Sequence, residues 1–143
     1  MPVLDTDETT AGDVLCATAL LTPHLPPNFS GELVGLSVYD RSGNAAELDV
    51  VLLTEPVNLG TPGAAVTIAD EAVVASVARI VKVPTAAYTT LASGKALADV
   101  ECGAVLVSDA GALYVGLIDR TGENTYAAGS LTVTAWVRTD GPG

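Results

Sequence analysis

Leu131-Thr132-Val133-Thr134-Ala135-Trp136-Val137-Arg138 is the stretch that decides the fold class. Large apolar and mostly polar residues alternate in it with a period of two. That puts Leu131, Val133, Ala135 and Val137 on one face of a strand and Thr132, Thr134, Trp136 and Arg138 on the other. Upstream, Val34, Leu36 and Val38 alternate with Gly35, Ser37 and Tyr39, and Leu48, Val50 and Leu52 alternate with Asp49, Val51 and Leu53. Between these two runs, Asp40-Arg41-Ser42-Gly43-Asn44 is dense in residues that cap turns or accept left-handed backbone, so the pair is expected to form a hairpin. A second hairpin is expected from residues 104–107 and 112–118 around Ser108-Asp109-Ala110-Gly111, with Asp119-Arg120-Thr121-Gly122 as the next turn.

Working outward, residues 14–21 suit a strand, and Pro23, Pro26 and Pro27 then impose an extended connector. Thr67-Ile68-Ala69-Asp70 places a hydroxyl three residues before a carboxylate, the pattern of a helix start, and predicts one short helix over residues 70–76. Residues 77–83 read as strand up to Pro84, and residues 88–91 and 95–100 are shorter strand candidates. About eight strands with one short helix predict an all-β fold, a β-sandwich of the jelly-roll kind. No internal repeat stands out. The expected organisation is a flexible acidic arm over residues 1–13, one sandwich domain over 14–139 and a short tail over 140–143.

The 143 residues are 49% hydrophobic and only 16% charged, a composition that folds. Seventeen acids against six bases give a net charge of −11, which repels phosphate and argues against nucleic-acid partners. No apolar run approaches the ~20 residues of a membrane-spanning helix, and Asp5, Asp7 and Glu8 occupy the place of a basic signal-peptide start. No membrane role is expected. Cys16 and Cys102 stand far apart without metal-ligand spacing and are expected to be buried free thiols. The single histidine, His24, sits among prolines and reads as a surface residue. Gly60-Thr61-Pro62-Gly63 lacks the lysine of a phosphate loop, and Asp5-Thr6-Asp7-Glu8 lacks the glycine turn of a calcium loop. The expectation is a non-enzymatic domain with no catalytic residues, metal or cofactor.

The strand and turn signatures of residues 31–137 resemble a family of small jelly-roll proteins encoded by tailed bacteriophages, the capsid decoration or cement proteins. The resemblance rests on Leu48-Asp49-Val50-Val51-Leu52-Leu53, Leu59-Gly60-Thr61, Ile68-Ala69-Asp70, Gly103-Ala104-Val105-Leu106-Val107, Leu113-Tyr114-Val115 and Tyr126-Ala127-Ala128-Gly129-Ser130-Leu131. It implies a virion protein, made in the host cytoplasm, that sits on the outer surface of an icosahedral shell. There it clamps the major capsid protein, often as a homo-trimer. An acidic surface suits a protein that faces solvent and not packaged DNA. A subunit contact that excludes carboxylates is then expected to draw on Val14, Leu15, Leu20, Leu21, Leu25 and Phe29, with Trp136 as an anchor.

The competing expectation is a carbohydrate-binding or adhesin sandwich that uses Trp136 and nearby tyrosines as a platform for sugar faces. An enzyme reading has no residues behind it.

Overall fold

The computed structural model describes residues 10–21, 29–68, 77–91, 94–108, 111–122, 124–126 and 130–139. Eight strands are β1 (Ala19–Leu21), β2 (Phe29–Asp40), β3 (Leu48–Leu53), β4 (Val77–Val83), β5 (Tyr88–Thr90), β6 (Ala96–Ser108), β7 (Leu113–Asp119) and β8 (Leu131–Thr139). They form two antiparallel sheets, a first sheet ordered β1-β7-β3-β4 and a second ordered β5-β6-β2-β8. One 3-10 turn, Thr85–Ala87, follows Pro84. The expected helix falls on residues outside the described ones, as do the proline connector, His24 and the acidic run 5–8.

The architecture is a β-sandwich. Leu48, Val50, Leu52, Val81, Val83, Val115 and Leu117 of the first sheet meet Leu33, Leu36, Val38, Ala98, Leu106 and Leu131 of the second in one buried core. Period-two alternation supplies these inward sets, so the burial that stabilises the fold follows from the pattern read in the sequence.

Neither expected hairpin forms. The Asp40–Asn44 turn carries the chain from β2 in the second sheet to β3 in the first, and the segment after Ser108 carries it from β6 to β7, again across sheets. Polar turn residues mark where a strand ends, but they do not specify which sheet takes the next strand.

An internal symmetry emerges instead. β2 lies between β6 and β8, and β7 lies between β1 and β3, so exchanging β1-β2-β3 with β6-β7-β8 reproduces the same neighbours. The register obeys the same exchange, Leu131 pairing with Asp40 where Leu48 pairs with Asp119. Arg41 N–H donates to the Ser130 carbonyl at 2.8 Å, and Arg120 N–H to the Glu47 carbonyl, also at 2.8 Å. The sequence carries the trace as Asp40-Arg41-Ser42-Gly43-Asn44 and Asp119-Arg120-Thr121-Gly122-Glu123-Asn124.

All six residues of β3 are buried. Its second face is covered by a layer of irregular chain, in which Val14, Val51, Leu53, Leu59 and Ile118 make a separate small core with Val57, Ile68, Val77 and Tyr114 against it. Two segments build that layer and are tied to each other. Val14 N–H donates to Ala64 O at 2.9 Å, Gly63 N–H to Val14 O at 2.8 Å, and Thr18 Oγ to Val57 O at 2.7 Å. Leu59 lies so close to β7 that a Cβ on Gly116 would sit 2.5 Å from its Cδ1, so only glycine lets the layer settle onto the sheet.

The arm boundary at residue 13 is corrected by the same contacts. Gly12 N–H donates to Asp119 O at 2.6 Å, Asp119 N–H donates to Asp13 O at 3.0 Å, and Asp13 is buried. Residues 10–13 belong to the sandwich.

Candidate functional site

Among the described residues, the outer face of the second sheet has no comparable cover. Val34, Val105, Val107 and Trp136 are exposed there, Val105 at 74% and Trp136 at 58%. The cross-strand register gives the rows of this face: Val105, Glu32 and Arg138; then Glu101, Gly35 and Trp136; then Asp99, Ser37 and Thr134.

A bulge shapes its centre. Between Leu33 and Gly35, β2 carries one extra residue, Val34, against β8, while β6 places Cys102 and Gly103 opposite it. The simple alternation expected Val34 in the core. Leu33 takes that place instead, fully buried, and Val34 turns outward at 45% exposure, because the bulge shifts the phase of the strand by one residue. Gly103 has a left-handed φ of 122° at this irregularity.

Trp136 sits on the edge strand β8 opposite Gly35, and a Cβ at Gly35 would lie 3.7 Å from the indole Cδ1. The bare glycine therefore leaves room for the ring to lean across β2, an arrangement in which an aromatic covers a glycine on the sheet. The indole N–H donates to Ser37 Oγ at 3.3 Å, and the Ser37 hydroxyl donates to Asp99 Oδ1 at 2.6 Å. Val34, Gly35, Leu36, Ser37, Asp99, Val100, Glu101 and Trp136 enclose a shallow open depression of about 190 Å³. It offers an apolar floor, one aromatic wall and two carboxylates.

A second polar cluster closes one end of the sandwich. The buried Asp40 carboxylate accepts the backbone N–H groups of Ser42, Gly43 and Ala45 at 2.8 to 3.1 Å. Buried Asp119 likewise accepts Thr121 and Gly122 N–H and the Asn124 amide at 2.9 to 3.1 Å. Burial pushes the Tyr88 and Tyr126 hydroxyls far above the ordinary tyrosine value, and these two carboxylates push them further. With at least three donors on each carboxylate, the cluster fixes two symmetry-related turns.

The residues expected at a subunit contact separate. Val14 and Leu15 are fully buried, Leu15 in the main core and Val14 under the covering layer, so neither has surface to give. This corrects their assignment to an interface: an apolar run flanking a sheet is drawn into the core of its own chain first. Leu20 and Leu21 lie half-buried in β1, Leu21 against the core. Leu25 and the Phe29 side chain lie outside the described residues. Trp136 alone of the set is both described and largely exposed. Cys16 is buried and Cys102 half-buried, both as free thiols. Sequence reading missed Val34 and the acid pair because the bulge that turns Val34 outward beside them leaves no mark beyond the glycines at 35 and 103.

No protein-family model, no curated protein and no solved structure matches this chain.

Proposed function

We propose that this protein is a structural attachment protein that decorates and stabilises the outer surface of an icosahedral bacteriophage capsid, docking on the major capsid protein through the open face of its second sheet. The observation that carries the docking step is the contrast between the sheets. Among the described residues, the chain covers the β3–β7 part of one outer face, with Ile80 of β4 exposed beside it, and leaves Val34, Val105, Val107 and Trp136 bare on the other. Several exposed apolar side chains on one sheet face, a tryptophan among them, are the composition of a contact surface. A net charge of −11 supports the outward placement, since such a chain is repelled by packaged nucleic acid. The capsid assignment itself rests on the resemblance of residues 31–137 to decoration proteins. Within that reading the sandwich is a jelly-roll variant, and three copies assemble about a three-fold or quasi-three-fold axis of the shell.

Trp136 also favours a second reading, a sugar-binding module, because an exposed indole beside carboxylates can stack on a pyranose face and accept its hydroxyls. Co-sedimentation with shells of the major capsid protein from the same genome separates the two. The capsid reading expects the wild-type protein to pellet with shells, Trp136→Ala to stay in the supernatant, and cryo-electron microscopy to place density at three-fold positions. A protein that ignores shells and binds a glycan array overturns it.

A further inference from the structure

We infer that the depression beside Trp136 receives an arginine side chain from the protein on which this face docks, an inference that rests on the docking reading above. The argument starts from how the face treats its own acids. Glu32 stands opposite Arg138 and forms an ion pair with it at 2.9 Å. Asp99 and Glu101, on the same face of β6, stand opposite the uncharged Ser37 and Gly35. Neither makes an ion pair among the described residues. Two carboxylates two residues apart on one strand lie roughly 7 Å from each other and repel. A cation between them is therefore supplied from outside or not at all.

The surroundings select the kind of cation. The outward Val34 side chain beside the bare backbone of Gly35 accepts an aliphatic stem, and the indole of Trp136 offers a π face to a positive charge. Arginine meets all three demands at once. Its planar guanidinium stacks on an aromatic ring, forks onto a carboxylate and sheds water more readily than an ammonium group. The receiving groups are held in advance, because the Trp136 indole is tied to Ser37 and Ser37 to Asp99, which leaves the second Asp99 oxygen free of that bond. A second copy of this chain is a poor occupant, since each copy carries −11 and the described cations at this face are engaged, Arg138 with Glu32 and Arg41 over the Tyr39 ring.

Trp136 is the single tryptophan of the chain, so intrinsic fluorescence reads this site directly. The wild-type protein is titrated with N-acetyl-arginine amide at millimolar concentration, with the uncharged N-acetyl-citrulline amide as the control of equal shape. The expected result is a saturable change with the arginine compound that weakens several-fold in high salt and disappears in the Asp99→Asn, Glu101→Gln double variant. Both carboxylates are exposed, so this variant retains the fold, which far-UV circular dichroism checks. An equal response to citrulline amide, no response to either compound, or an unchanged response in the double variant overturns the inference. The shell assay tells its failure from that of the docking reading. The double variant is expected to bind shells at least tenfold more weakly than the wild type. If it pellets like the wild type while Trp136→Ala does not, the face docks without an arginine and this inference fails alone.

Discussion

The two outer faces of this sandwich are built from similar strands and end differently. On the first sheet, Val51, Leu53 and Ile118 point outward and are buried under residues 10–18 and 54–68. On the second sheet, Val34, Val105, Val107 and Trp136 also point outward and remain exposed. The difference teaches that outward apolar residues are no guide to function until the rest of the chain has been followed. Where the chain supplies a lid, they are structure. Where none of the described residues does so, they stay exposed to solvent.

The sharpest way to break the contrast is to remove a large side chain from the covered face. Leu53→Ala leaves a cavity beneath the layer and is expected to cost about 2–5 kcal/mol in urea unfolding. A loss near zero would mean that the layer does not hold to the sheet in solution.

Alkaline pH probes the interior next. Burial raises the Cys16 thiol from 9.0 to about 11. The unfolded chain releases this proton first, so stability is complete below pH 9 and falls as the pH rises from 9 to about 11. Cys16 alone accounts for a loss of roughly 2–3 kcal/mol across that window. Half-buried Tyr88 and buried Tyr126 act in the same direction above the ordinary tyrosine range. Denaturant midpoints measured at neutral pH and at pH 9 to 11 check the sign, and Cys16→Ala should flatten the lower part of the fall. In thiol labelling of the native protein, half-buried Cys102 is expected to react before Cys16.

Smaller effects belong to the open face. Trp136→Ala is expected to lower stability by about 1 kcal/mol or less, and Val105→Thr to change it by no more than about 0.5 kcal/mol. Each should reduce binding of a hydrophobic dye. A Val105→Thr cost equal to that of Leu53→Ala would erase the distinction between the faces.

The strands were legible in the sequence because period-two alternation reports which residues share a face, and the last strand matches its reading from Leu131 onward. Which sheet a strand joins was not legible, since alternation carries no information about neighbours. The Asp40 turn therefore looked like a hairpin and is a crossing. In β3, Asp49, Val51 and Leu53 seemed to form an outer face. The covering layer that buries them comes from segments with no regular pattern. At the candidate site Trp136 was legible as an outward aromatic. Val34 was not, because one inserted residue reverses its phase. The acids Asp99 and Glu101 gained meaning only from the neutral residues placed opposite them. The paired Asp-Arg-Ser/Thr-Gly turns were in plain view, but their equivalence needed the register to be seen.

The exchange of central strands between the halves sets a constraint in time. Emerging from the ribosome, β1 and β3 have no strand to join them until residues 113–119 of β7 are made, and β2 waits for β6 and β8. Neither half can finish a sheet from its own residues, so the nascent chain must stay soluble until β6, β7 and β8 have emerged, a task to which its many carboxylates are suited. Refolding from denaturant should accordingly take milliseconds to seconds, the range of folds dominated by distant pairings. Microsecond recovery of the Trp136 signal would show that the interlock forms by a more local route.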